Sequence, residues 1–296
     1  MVDARRGGHP TPMSDTKSTM KLVEYLDDDN DLSKKGIDKL TGYVAEAKGL
    51  VDQMRCEEMI SFATSAVRDA RNSDHVLDYV EKETGIRLEI LSGEDEARLT
   101  FLAVRRWYGW SAGRIVNLDI GGGSLELTSG TDEDPDAAYS LLLGAGRLTH
   151  EWFDTDPPER KKIDLLRDYI DAELVEPARH LRTLGEPDLA VATSKTFRTL
   201  ARLTGAAPSS AGPRVKRTLT APGLRQLIAF ISRMTAADRA ELEGVSSNRS
   251  HQIVAGALVA EASMRALGLE QVEICPWALR EGVILRRLDG NLYGKG

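Results

Sequence analysis

The chain has little cysteine, histidine or aromatic content: 2 Cys, 5 His and 5% Phe, Trp and Tyr in 296 residues. Cys56 and Cys275 are too few for a disulfide framework and fit reduced thiols in a cytoplasmic protein. Two cysteines and five scattered histidines give no zinc-binding spacing. No run of about 18 apolar residues occurs, so no membrane span is expected. Arg5 and Arg6 precede Gly-Gly-His-Pro, where a secretory leader would have an apolar stretch. The net charge of -7 argues against general nucleic-acid binding. Acid is missing from one long stretch. No Asp or Glu lies between Asp188 and Asp238, a segment that holds Lys195, Arg198, Arg202, Arg214, Lys216, Arg217, Arg225 and Arg233. Such a segment can grip a polyanion locally; the competing reading is a set of solvated helix faces.

What is present is ordinary globular composition, 41% apolar and 29% charged, in a chain long enough for two domains. Leu40, Tyr43, Val44, Ala47, Leu50, Val51 and Met54 recur at helical spacing. A short strand at 59–63, a helix around Val76–Val80 that stops at Gly85, and a strand at 86–90 follow. Ser92 then opens a helix through Leu99 and Leu102. Residues 114–120 and 124–129 read as two strands joined by a glycine turn. Strands at 139–143, 188–192 and 272–274 alternate with helices around Ile163–Leu174, from Ser194, around Leu224–Ile231, around Ile253–Met264 and from Ala278. The alternation predicts an α/β fold with a boundary near Gly113, giving lobes 1–113 and 114–296.

The sharpest motif is Asp119-Ile120-Gly121-Gly122-Gly123-Ser124-Leu125-Glu126. Three glycines allow a tight turn whose N–H groups approach an anion without obstruction by Cβ atoms. Asp119 ends the first strand, where a carboxylate can hold a cation or water beside a phosphate. Ser124 and Glu126 share one face of the second strand. No helix follows the glycines and no Gly-Lys-Ser/Thr is present, which excludes a dinucleotide fingerprint and a P-loop. The alternative is a plain hairpin. Thr64 and Ser65 open a helix one turn before Arg68, and serve either an anion or ordinary capping. Glu94, Asp95 and Glu96 fill a first helical turn, either for the macrodipole or with one of them as a general base. Thr193-Ser194-Lys195 echoes Thr64-Ser65 at a second basic helix start.

Together these stretches resemble the exopolyphosphatase/guanosine pentaphosphate phosphatase family of the actin-like ATPase superfamily. The matching segments are ATSAVRDARN (63–72), SGEDEARLTFLAV (92–104), LDIGGGSLEL (118–127), LGAGRLT (143–149), ATSKTFRTLARL (192–203) and ALREGVI (278–284). The resemblance implies a two-lobed actin-like, ribonuclease H-like α/β fold with its active site in the interdomain cleft, and a last helix, 278–288, returning to the first lobe. It implies hydrolysis of terminal phosphate from inorganic polyphosphate, or of the 5′-phosphate of guanosine pentaphosphate, with Mg²⁺ and in some settings a monovalent cation. In the family pattern Glu96 activates water. Gly121, Gly122, Gly123 and Ser124 cradle phosphate, with Thr64, Ser65 and Arg68 at the phosphate end, and Asp119 and Glu126 stand beside the metal. Lys195, Arg198, Arg214, Lys216 and Arg217 are the expected polyanion track. Polyphosphate and guanosine penta- or tetraphosphate are the implied partners, with a homodimer admitted and neither nucleic acid nor membrane expected.

Three departures qualify the match. The family opens with a second phosphate turn, Asp-x-Gly-Ser-Asn, that does not occur here. Residues 1–4 read as the end of the strand after it, which predicts about 15–20 further residues in a longer natural chain. Without that turn, a non-catalytic polyphosphate or guanosine tetraphosphate binder is the alternative. His251 stands where Asp is common. Lys195 stands where a small residue is common, which favours polyphosphate over a nucleotide.

Overall fold

Short apolar runs and amphipathic helices build two compact units, Met1–Ser92 and Gly93–Gly296. The computed structural model describes residues 1–290 except Arg6, Gly7, His9, Asp15, Lys17, Ser18, Thr19, Lys21 and Asp28. Part of the Arg5–Pro10 segment read against a leader therefore lies outside the described residues.

In the first unit, β1 (Val2–Asp3) pairs antiparallel with β2 (Thr11–Pro12). Helix α1 (Lys34–Gln53) buries Ile37, Leu40 and Val44, spaced three and four apart on one face. Strand β3 (Phe62–Ala63) leads into the short helix α2 (Ser65–Arg68), and α3 (Ser73–Thr84) ends at Gly85, whose φ of 70° supplies the left-handed cap. Strand β4 (Glu89–Ile90) lies parallel to β3. Val67, Val76 and Val80 complete this core.

The second unit opens with α4 (Gly93–Tyr108). Next come β5 (Ile115–Ile120), β6 (Leu125–Gly130), β7 (Ala137–Leu141), α5 (Ala145–Trp152) and α6 (Arg160–Thr183). Then follow β8 (Leu189–Ala192), α7 (Ser194–Leu203), β9 (Thr218–Thr220), α8 (Ala221–Ile231), α9 (Ala236–Ala240), α10 (Ile253–Ala266), β10 (Gln271–Ile274) and α11 (Leu279–Leu288). The six strands form one sheet in the order β7-β6-β5-β8-β10-β9; β5, β8 and β10 run parallel. Period-2 alternation divides its faces. Leu118, Ile120, Leu125 and Leu127 join the core made with α6, α7, α8 and α10. On the opposite face Ile115 and Val191 pack with Phe101, Leu102, Val104 and Leu285 of α4 and α11.

The boundary read near Gly113 lies earlier in the structure, because α4 is riveted to the sheet. Arg105, 1% exposed, donates to the carbonyls of Gly109, Gly113, Gly130 and Asp132. Arg106 forks between Glu133 and Asp289, each at 2.6 Å, and Arg98 joins Glu94 and Asp134. The last helix does pack on α4, but both belong to the second unit. The helices α5 and α9 and the strand β9 were not read from the sequence. Among the described residues no helix is long and apolar enough to cross a membrane.

A Cβ on Gly282 of α11 would lie 1.9 Å from the Leu99 carbonyl oxygen of α4. Gly282→Ala is therefore expected to lower unfolding stability by about 1–3 kcal/mol, the usual range for overpacking. A urea midpoint equal to that of the parent protein would contradict this close crossing.

Candidate active site

The hairpin β5–β6 places two carboxylates face to face. Asp119 is the register partner of Glu126, and Glu126 is in turn the partner of Ser140 on β7. Ser140 Oγ donates to Glu126 Oε1 at 3.0 Å. On the other flank the Thr193 amide donates to the Leu118 carbonyl at 2.9 Å, extending the β5–β8 ladder by one residue. That places the Thr193 hydroxyl to donate to Asp119 Oδ2. The result is a polar row, Ser140–Glu126–Asp119–Thr193, across four adjacent strands at the mouth of the glycine turn.

Like charges opposite each other on neighbouring strands repel. Burial and the Asp119 carboxylate push the Glu126 carboxyl up to about 8, against the Ser124 and Ser140 hydroxyls that lower it. Burial pushes Asp119 up to about 6, opposed by the Thr193 hydroxyl and the Arg198 guanidinium. Both carboxylates lie on the sheet face that α4 covers, and Glu96 of α4 also raises Glu126 through its charge. Of the three acids in the first turn of α4, Glu96 alone is buried, at 8% exposure, while Glu94 and Asp95 face solvent. The helix face thus selects one candidate base from the three. Among the described residues no group of three or more His, Cys, Asp or Glu is placed to hold a metal ion; the opposed Asp119–Glu126 pair offers two carboxylates.

The glycine turn has an unusual hydrogen-bond pattern. Gly121 N–H donates to the Ser124 carbonyl at 2.9 Å. The reciprocal bond of a two-residue hairpin is replaced: the Gly121 carbonyl accepts from Ala145 N–H, and the Gly122 carbonyl accepts from the amides of Gly146 and Arg147. Among the described residues the amides of Gly122, Gly123 and Ser124 have no protein acceptor. Handedness does not account for the glycines, since none of the three has φ in the left-handed region. The close approach falls on the facing glycine instead. A Cβ on Gly144 would lie 2.2 Å from the Gly123 carbonyl carbon, whereas a Cβ on Gly122 would meet nothing within 4 Å and would fill the cradle. Gln252, in the turn Ser250–Gln252 that also holds His251, borders the same place: a Cβ on Gly146 would come within 2.9 Å of its Oε1.

Thr64, Ser65 and Arg68 belong to the first unit. Arg68 donates to Asp69 Oδ1 at 3.0 Å and to the Leu91 carbonyl at 3.2 Å. Thr64 is the cap residue of α2 and Thr193 that of α7, with closely similar dihedrals (φ -119°, ψ -158° and φ -114°, ψ -167°), yet neither hydroxyl caps its helix. Ordinary capping is thus not what these threonines do. Ser194 departs from the echo with φ of 75°, which costs an L-residue about 1–2 kcal/mol.

The basic segment is less available than its composition suggests. Arg217 is committed to the carbonyls of Ala207, Pro208, Gly212 and Val215 and ties a loop together. Lys216 pairs with Glu273 at 2.7 Å, and Arg198 donates to the Pro276 carbonyl. Lys195 and Arg214 are exposed. Of the five residues of the expected track, Arg217 is thus a loop clamp, while Lys216, Arg198 and Lys195 also have interactions within the chain. Ser140 was not singled out from the sequence, Thr193 was read only as the echo of Thr64 at a helix start, and Arg147 only as part of the segment 143–149. Only their place in strand register or beside the turn gives them a role.

The chain matches the model of the Ppx/GppA phosphatase family over residues 1–291. It is 68% identical over 294 residues to Exopolyphosphatase 1 of Mycobacterium tuberculosis, covering 99% of this chain and 86% of that protein. It is 65% identical to Exopolyphosphatase 1 of Mycobacterium leprae, with 99% and 87% covered. The crystal structure of an exopolyphosphatase from Cytophaga hutchinsonii superposes with a TM-score of 0.87 at 23% identity, over 98% of this chain and 93% of that one, and shares the fold.

The raised carboxyls carry a sign for stability. The folded protein holds protons that the unfolded chain has released, so this contribution is full below about pH 4 and is lost as pH rises through about 6 for Asp119 and 8 for Glu126. In metal-free buffer the urea midpoint is expected to fall between pH 5 and 8. Glu126→Gln should flatten that slope and stand above the parent at pH 8; parallel curves would overturn the assignment.

Proposed function

The chain belongs to the Ppx/GppA phosphatase family, and from that premise we propose that it is an exopolyphosphatase, a hydrolase that releases terminal phosphate from linear inorganic polyphosphate. The observation that carries the chemistry is the opposed pair Asp119–Glu126 at the mouth of a turn whose three outward amides have no acceptor among the described residues. Amides fixed in advance at the place where phosphate charge develops stabilise it without reorganisation. Glu96, buried on the same sheet face, accepts the proton of the attacking water. The new bond forms between the water oxygen and the terminal phosphorus. The bond to the bridging oxygen breaks, and the chain leaves one phosphate shorter. Asp119 and Glu126 are the residues that would hold Mg²⁺, which when bound offsets the charge of the phosphate oxygens.

Lys195 and Arg214 extend the reading to the rest of the polymer, since both are exposed on the acid-free segment. Lys195 also favours a flexible polyanion over a nucleotide base, so guanosine pentaphosphate is expected to compete weakly at matched concentration. The two free thiols, Cys56 and Cys275, support a cytoplasmic setting.

Phosphate release from polyphosphate with Mg²⁺ should fall about 10²–10⁴-fold in Glu96→Gln, the range that a general base contributes. Retained release would remove Glu96 from the reaction, and no release by the parent would sink the activity itself. A second outcome concerns the track. Replacing Lys195 and Arg214 together by Ala should raise KM for long chains more than for short ones. Arg217→Ala should instead lower thermal stability and affect all chain lengths alike. Equal losses at every length in the Lys195/Arg214 pair would refute tracking.

A further inference from the structure

The carbonyl side of the glycine turn is closed by one short helix. Ala145 N–H reaches the Gly121 carbonyl at 3.0 Å, and Gly146 and Arg147 N–H reach the Gly122 carbonyl, both at 2.9 Å. The Gly123 carbonyl accepts from the Arg147 side chain, Nε to O at 3.2 Å. All three carbonyls of the turn are therefore held by α5. The first-turn amides of α5 are used on the turn and not on a ligand.

A trans peptide points its C=O and the following N–H in opposite directions. Fixing the carbonyls of residues 121, 122 and 123 toward α5 turns the amides of Gly122, Gly123 and Ser124 away from it, as one set. The first two carbonyls are held by backbone amides, which every residue except proline supplies. The third depends on a side chain. Arg147 is also placed for this work: its side chain is mostly buried, its guanidinium lies within an ion pair's reach of Glu151 at 3.5 Å, and it sits in the first turn of the helix that carries it.

We propose that Arg147 is a positioning residue for phosphate: by latching the Gly123 carbonyl it keeps the Ser124 amide, and with it the set of three, aimed at the substrate. The inference rests on the glycine turn being the phosphate cradle of the proposed reaction. It adds a residue that does not itself touch the phosphate. A lysine at 147 retains a cation and one reachable donor, whereas methionine keeps the length of the side chain and loses every donor.

The test compares the full-length parent protein with Arg147→Met and Arg147→Lys. It measures kcat and KM for polyphosphate, inhibition by inorganic phosphate, and the thermal midpoint. Arg147→Met should lose roughly tenfold in kcat/KM, the scale of one charge-assisted hydrogen bond, with phosphate inhibition weakened in parallel. Arg147→Lys should recover part of both. A structural role alone would lower the midpoint and the folded fraction and leave phosphate affinity per folded molecule unchanged. That result, or kcat/KM for Arg147→Met within about twofold of the parent, overturns the proposal. Should Arg147→Met fail to fold, Arg147→Lys decides by the same two readouts. A parent that releases no phosphate refutes the activity, and direct binding of inorganic phosphate then decides the latch: weaker binding by Arg147→Met supports it, and equal binding rejects it.

Discussion

Two carboxylates facing each other across adjacent strands are the constraint around which the second unit is arranged. A sheet would ordinarily avoid such a pair, because the charges repel and burial removes the water that would screen them. The surroundings answer the repulsion residue by residue. Ser140 donates from one side and Thr193 from the other, and the Arg198 charge bears on Asp119. Even the strained backbone at Ser194 directly follows the threonine that serves Asp119. The compensation is incomplete, since both carboxyls remain above their ordinary values. Under the proposed function that incompleteness has a use, because a cation would neutralise a pair of carboxyls held together against their charge.

The rest of the unit keeps that pair in place from two directions. On one face, α4 presents Glu96 and is fixed by three arginines that reach loop carbonyls and acids, so the proposed base is carried by a helix with little freedom to shift. At the strand ends α5 grips the turn. The site therefore rests on regular elements even though its reactive surface is a loop, the arrangement that holds catalytic groups most firmly.

Much of this was legible in the sequence. The β5–β6 hairpin is written in the alternation around Gly121–Gly123, and the shared face of Ser124 and Glu126 follows from the strand period. What escaped did so for physical reasons. Helix α5 contains Gly146 and follows Gly144, which weaken any helical signal, yet both positions are glycine because the turn packs against them. Charge counting placed Arg217 and Lys216 on a polyanion surface, because a pattern of cations does not reveal that Arg217 folds back on the carbonyls of its own loop or that Lys216 meets Glu273, far along the chain. Thr193 resembled a cap because its hydroxyl's true partner is 74 residues away. The boundary near Gly113 was drawn at a local break, while the arginines that bind α4 to the sheet act through residues 109–134 and 289.

The interlock between Gly123 and Gly144 makes the cradle a two-part module. With a virtual Cβ only 2.2 Å from the opposing backbone, neither segment has room to change alone. Anyone grafting this glycine turn into another scaffold would have to transplant residues 119–126 and 144–147 together, along with the spacing between β6 and the start of α5. The turn taken by itself would relax into a common hairpin, its carbonyls released and its amides paired with one another's neighbours.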